Sequence, residues 1–480
     1  MGADGFLADR FFETIWSALQ GEPEVAKAVS FSGDAALRGR FAYTDLCAST
    51  LAAASAAIAE LLMTAGQAVP SVHVDRVLAP GWVLNLSDPV GPRIRPEWPW
   101  TVNGDYRTAD DRFLRITATY KHLQDRTLAV LGTPEDSAAV AAEILRHPAN
   151  EIERAIVDGG GAAAASRTLE EWAEHPQGRS VRTEPLVEVS TRGTTQDRWR
   201  PTSGRPLAGI RVLDCTRVVA GPMATRWLAG FGAEVLRIDP PGFDEWIVER
   251  GSVTLGKRCA ELDLRAGEGR DKFLELLAGA DVFVHGLRPG ALDALGLDDG
   301  VRQNANPNLV EVQHNAYGWT GPWVGRRGFD SIVCVSSGIW LESLRWAGSD
   351  APGPDSLALL YPILLDHCAG YLDAAAAVRG LTRRLREGTS SLSRLSLARM
   401  LWMLIDAGQP VEEPPNELPL PGPYEDRVYM TAEGPVRRLE FPAKVEDNPF
   451  FWERPADPYA TSAPLWSTSP LVGRTAGEAP

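Results

Sequence analysis

The stretch Leu207–Pro241, LAGIRVLDCTRVVAGPMATRWLAGFGAEVLRIDPP, decides the fold. Ile210, Val212 and Leu213 form a short apolar run, and Thr216–Pro222 a turn ending in Ala-Gly-Pro. Met223–Ala229 fit a helix, and Val235–Ile238 form a second apolar run. Runs this short, bounded by turn residues, read as buried strands. Two buried strands joined by one helix make a parallel pair with a right-handed crossover.

Downstream the alternation continues, with a strand at Ala260–Leu264, a helix at 267–278 and a strand at Val282–Val284. The turn Gly286-Leu-Arg-Pro-Gly290 opens a short helix, and Leu309–Gln313 is a further strand. This order predicts an α/β fold, a Rossmann-like open parallel sheet with helices on both faces. Residues 355–378 and 389–406 read as two apolar helices. Residues 408–480 are Pro-rich and mostly irregular, with strands at 428–431 and 437–441.

Upstream, residues 5–19 carry apolar side chains at helical spacing, and 44–65 form an Ala-rich helix expected to pack tightly on a neighbour. Six prolines, Pro70, Pro80, Pro89, Pro92, Pro96 and Pro99, break up 66–110. A strand at Phe113–Thr119 with helices at 121–130, 135–147, 149–157 and 168–174 makes a small α+β unit over about 105–190. A polar linker at 190–206 closes the first half.

A chain of 480 residues exceeds one core. Its net charge of −15 argues against nucleic acid or an anionic membrane as partner. Cys47, Cys215, Cys259, Cys334 and Cys368 show no CxxC spacing, so reduced core thiols are expected, with no disulfide framework or metal site. The amino terminus carries acids where a signal peptide needs bases, and no uninterrupted apolar run of about 18 residues occurs. The expected location is cytoplasmic.

The first turn lacks G-x-G-x-x-G, which excludes the usual dinucleotide fingerprint. Gly221 and Pro222 still leave backbone N–H groups at a helix start. Arg237, Lys257, Arg258, Arg265 and Arg288 recur near predicted strand ends, the edge where open α/β sheets bind ligands. Singly each reads as a solvated charge; together they suit a phosphate or diphosphate ligand. Asp158-Gly-Gly-Gly161 reads as a turn rather than a phosphate loop, because no strand precedes it and no Lys-Ser/Thr follows. Asp330, at the mouth of the apolar run Ser331–Gly338, is either a nucleophile or base, or a helix N-cap.

Five blocks in order carry a resemblance: 206–241, GKRCAELDLRAGEGR, ADVFVHGLRPGALDALGL, NPNLVEVQHNAYGWTGPW and RRGFDSIVCVSSG. Together they resemble the family III CoA-transferases (CaiB/BaiF), most clearly over 206–340. The resemblance implies a Rossmann-like large domain, a small α+β domain and an interlocked homodimer. It also implies CoA transfer from an acyl-CoA to a carboxylic acid acceptor through an aspartyl anhydride and an aspartyl-CoA thioester. CoA is then substrate, with no tightly bound cofactor. Asp330 falls on the Gly-aromatic-Asp motif as the implied nucleophile. Val219, Ala220 and Gly221 fall on the CoA-contacting turn, and Leu262 and Arg265 on the adenine-side strand end. Related racemases pair an aspartate with a histidine, which keeps His314 and an acyl-CoA racemase in view. A non-catalytic CoA-binding protein is the third reading.

The chain departs from the family pattern in three places. The small-domain-like sequence precedes the large domain, which implies a degenerate tandem: 1–200 keep the second half of one unit, 206–406 the CoA-binding domain of another, and 407–480 a tail returning to the small domain. Ala294 stands where the family has an arginine, and the glycine loop that shields the intermediate has no counterpart near 85–110.

Overall fold

The computed structural model describes residues 7–467 except 35, 85, 92–100, 195–198, 244, 246–249, 350–360, 362, 409–422 and 432–433. Its largest sheet has seven strands: β1 (Glu188–Thr194), β2 (Arg211–Cys215), β3 (Glu234–Asp239), β4 (Lys257–Glu261), β5 (Val282–His285), β6 (Val310–Asn315) and β7 (Thr389–Ser396). The order is β4-β3-β2-β5-β6-β7-β1, with only β1 antiparallel to its neighbour. Leaving β1 aside, this is the doubly wound order whose direction reverses between β2 and β5, and ligands bind at that reversal.

Expected and observed elements agree within a few residues across 207–315, and the helix expected at 267–278 spans Gly267–Ala278. The segment read as a helix from 389 instead splits into strand β7 and a helix at Leu397–Asp406. Its TSSLSRLS sequence lacks an apolar pattern because Ser390, Ser391 and Ser393 are fully buried. Ser391 faces a helix that approaches closely: a Cβ on Gly380 would lie 2.3 Å from Val310 and 3.0 Å from Ser391 Oγ.

Four helices organise the rest: α1 (Tyr43–Thr64), α2 (Ala220–Gly230), α3 (Asp330–Ser336) and α4 (Leu364–Glu387). The expected tight packing of the Ala-rich helix is realised between α1 and α4, both lined by buried alanines. By length and composition α1 is the one described helix apolar enough to cross a membrane, and 94% of its apolar window is buried inside the fold. Gly370 lets α4 meet α2, since a Cβ there would sit 2.3 Å from Ala220 O.

The small α+β unit has strands Gly104–Arg107, Phe113–Ile116 and Ala163–Ala165 and its own core of Tyr106, Leu114, Ile116, Ile144 and Ile156. The described strands of the tail pair elsewhere than in this unit. Tyr424–Thr431 and Gly434–Leu439 form a sheet with Ser87–Pro89, and Ala443–Val445 pairs antiparallel with Val72–Asp75. The tail then runs across the large domain, where Phe451 N–H donates to Gly230 O and Ser462 N–H to Cys259 O. All five cysteines are buried and free, as expected.

Candidate active site

The turn after β2 is held from below by Asp214, which is fully buried. Its Oδ1 accepts the Thr216 N–H at 2.9 Å, and its Oδ2 accepts Lys257 Nζ at 2.9 Å and Thr225 Oγ1 at 2.6 Å. Burial alone would raise Asp214, but Lys257 and Arg237 hold it below the usual range. Burial pushes Lys257 down to about 8. Lys257 therefore shapes the turn and is enclosed rather than open at a strand end.

Val218 in that turn has φ +64°, a costly conformation for a β-branched residue. Its N–H donates to Glu245 Oε1 at 2.8 Å. Glu245 also accepts from the Tyr120 hydroxyl and, at 3.3 Å each, from Arg237 Nη2 and the Tyr459 hydroxyl. Arg237, expected at an open strand end, is thus fully buried between Asp239 and Glu245. Arg258 is likewise engaged, with Glu234 and the Leu465 carbonyl. Leu262 packs against the core below the strand ends, and Arg265 is exposed beside Asp263. Val219 and Ala220 are buried, so the turn presents backbone rather than these side chains.

His314 fills the gap at the sheet's reversal. A Cβ on Gly221 would lie 2.7 Å from its Cε1, and one on Gly286 would lie 2.4 Å from its Nε2. Its Nδ1 is 2.8 Å from Asp373 Oδ2. Burial favours the neutral ring, yet Asp373 raises the pKa overall. The two glycines make room for an imidazole that serves packing.

Asp330 opens α3 and is 6% exposed, so burial raises its carboxyl to about 6. Its Oδ1 accepts the Cys334 thiol at 3.5 Å, and its Oδ2 accepts the backbone N–H of Asp366 at 3.2 Å. Tyr43 from the amino-terminal half is a further neighbour, its hydroxyl pushed up by burial and by the acids beside it. Asp366, in the first turn of the 24-residue α4, went unnoticed in the sequence, where it reads as a charge inside a helix. Ile363 before it (φ +70°) packs with Val218, Val219 and Met223, and Gly370 one turn later touches Ala220. Asp366 is therefore bracketed by contacts to the turn after β2.

The small unit covers α3: Thr117 Oγ1 lies 3.1 Å from Ser331 Oγ, and Arg326 pairs with Glu153 at 2.8 Å. Between the unit and the 322–327 loop opens a cleft of about 870 Å³, lined among others by Arg154, Arg288, Trp323, Arg326 and Arg327. Arg327 is pushed down by burial and by its neighbours Arg288 and Arg126, which makes this corner strongly cationic. The 158–161 turn also lines the cleft, but it offers the Gly160 carbonyl to Arg327 at 2.7 Å, positioning a cation instead of cradling an anion. Among the described residues no cluster suits a metal ion.

The family model for CoA-transferase family III matches residues 207–436. This stretch is similar to the family III CoA-transferases. A probable fatty acyl-CoA transferase of Mycobacterium tuberculosis is 32% identical to it over 213 residues, 41% of this chain and 52% of that protein. The alpha subunit of a succinyl-CoA–L-malate CoA-transferase of Chloroflexus aurantiacus is 29% identical over 260 residues, 51% of this chain and 54% of the subunit. The chain spans about half the length of these curated relatives. A crystal structure of a hypothetical protein from Mycobacterium tuberculosis is similar over 42% of this chain and 57% of that one, with 28% identity and a TM-score of 0.37. The family III match starts at the strand–turn–helix of 207–241 and leaves the first 206 residues outside it.

Proposed function

We propose that the chain transfers CoA from an acyl-CoA to a carboxylic acid, using the buried carboxylate pair Asp330–Asp366. The observation that carries this reading is where the pair lies: beside the turn after β2, under the small unit, and in the stretch similar to family III. Within the pair, Asp330 is the nucleophile of this reading: it ends the Gly-aromatic-Asp run, it opens α3, where the helix amino end favours a carboxylate, and burial raises its basicity. The backbone N–H of Asp366 donates to its Oδ2 and holds it in place.

In this scheme the Asp330 carboxylate attacks the thioester carbonyl, giving a mixed anhydride and CoA thiolate. The thiolate attacks the aspartyl carbonyl, releasing the first acid and leaving an aspartyl-CoA thioester. The acceptor carboxylate displaces CoA, forming a second anhydride. The thiolate then attacks the new acyl carbonyl, which releases the product acyl-CoA and frees Asp330. The cationic corner at Arg288 and Arg327 suits the phosphates of CoA.

The test is incubation with a panel of acyl-CoA donors and free acids, followed by peptide mass spectrometry. An adduct on the Asp330 peptide is the expected result. An adduct on the Asp366 peptide reverses the roles, and no adduct or exchange with any donor overturns the transferase reading.

A further inference from the structure

Helices α1 and α4 carry the same pattern 321 residues apart. Asp45 corresponds to Asp366, Cys47 to Cys368, Leu51 to Leu372, and Ala53, Ala54 and Ala56 to Ala374, Ala375 and Ala377. Asp45 and Asp366 both stand third in their helices. The strands around them repeat in arrangement, though only Val72–Asp75 and β7 keep the same offset. Val29–Ser32 runs parallel to Val72–Asp75 as β6 runs parallel to β7, and each second strand has an antiparallel outer neighbour, Ala443–Val445 in one copy and β1 in the other. The two copies meet at equivalent residues: Cys47 Sγ lies 3.7 Å from Cys368 Sγ. In a two-fold arrangement only residues on the axis touch their own counterparts, so an internal two-fold passes between these cysteines.

We infer that the chain is its own partner: its first copy supplies what a second subunit would, and it has one reactive site rather than two. The small unit that follows the first copy closes over the carboxylates of the second, through Thr117 on Ser331, Glu153 on Arg326 and Gln177 on the Tyr317 and Thr320 carbonyls. Among the described residues the first copy has no counterpart of β2–β5. The Asp45 carboxylate is also neutralised. Asp45 Oδ1 accepts Arg76 Nη2 at 2.7 Å and Nε at 3.1 Å, and the Ala8 N–H at 3.1 Å. The position equivalent to Arg76 in the second copy is Leu397. The one-site part of the inference rests on the transferase reading; the self-partnered part does not.

Light scattering on the full chain separates the two. The expected result is a single-chain mass near 52.0 kDa that does not change with protein concentration; twice that mass overturns the self-partnered fold. A paired variant, Asp45→Asn with Arg76→Leu, reproduces the second copy's apolar position without stranding a charge. It is expected to keep adduct formation on Asp330 within twofold of the parent, with an unchanged circular dichroism spectrum. An adduct on the Asp45 peptide of the parent chain overturns the single site, as does a tenfold loss in the folded variant. A single-chain mass with no adduct on any aspartate supports the self-partnered fold and counts against the transferase reading alone.

Discussion

The backbone N–H of Asp366 donates to Oδ2 of Asp330 at 3.2 Å, so one buried carboxylate fixes the helix start that carries another. The consequence for stability is a pH dependence of definite sign. Burial holds Asp330 at about 6, against about 3.9 in an unfolded chain. Between these values the folded state binds more protons, so this group's contribution is fully present below pH 4 and falls as pH rises to 6, by about 3 kcal/mol in all. Asp330→Asn keeps an acceptor for the Asp366 amide and removes the buried charge. Its melting temperature is expected to gain on the parent's as pH goes from 4 to 7. A gap that moves the other way would mean that the fold stabilises ionised Asp330. In activity, Asp330→Asn is expected to abolish turnover and Asp366→Asn to reduce it.

Gly221 and Gly286 each stand where a methyl group would strike the His314 ring. Gly286→Ala is expected to destabilise the protein by about 1–3 kcal/mol, the range for overpacking a dense core. In a His314→Ala background the same change should cost much less, giving a coupling energy above about 1 kcal/mol in a denaturation double-mutant cycle. Additive costs would show that the ring and the glycine do not share this space.

Arg288 is exposed on the cationic corner beside Arg327. Arg288→Glu should therefore leave the melting temperature within a degree or two while weakening acyl-CoA binding tenfold or more, equivalent to about 1.4 kcal/mol. The loss is expected in KM rather than kcat, and the salt dependence of KM should flatten with it. Unchanged KM would place the CoA phosphates elsewhere.

The large domain was legible because its strands are contiguous apolar runs between turn residues, which is what a sheet covered on both faces requires. Strand β7 was not, because three of its buried side chains are serines, one of them, Ser391, set against Gly380 of α4. Asp330 was visible as the end of a Gly-aromatic-Asp run. Asp366 was hidden by a misplaced helix start: with the helix begun at 355 it is an interior charge, whereas the observed helix begins at Leu364 and puts it in the first turn. The signal that could have found it is the internal repeat, TDLCASTLAAA against LDHCAGYLDAA. The strand-end arginines misled because charge on a strand satisfies buried acids as readily as ligands, as Arg237 does with Asp239 and Glu245.

The two copies differ most where Glu60 of α1 meets Arg379 of α4, a pair with both side chains fully buried. Burial raises the Glu60 carboxyl against the pull of Arg379, and it lowers the Arg379 guanidinium. Arg379 also donates to the Leu19 and Gln20 carbonyls, which ties the end of the first helix to α4. With the 321-residue offset, the positions equivalent to Glu60 and Arg379 are Leu381 and Ile58, an apolar couple in the same helix pair. Removing one partner, as in Arg379→Ile, strands a carboxylate in the core and is expected to cost about 3–5 kcal/mol. Replacing both with the residues of the other copy, Glu60→Leu with Arg379→Ile, removes the charge altogether. Because a well-packed apolar pair commonly matches a buried ion pair, the double variant is expected to recover most of that loss. Urea denaturation of the parent, the single and the double variant reads this directly. A double variant no more stable than the single one would mean that the Leu19 and Gln20 carbonyls, rather than Glu60, are what Arg379 is there to hold.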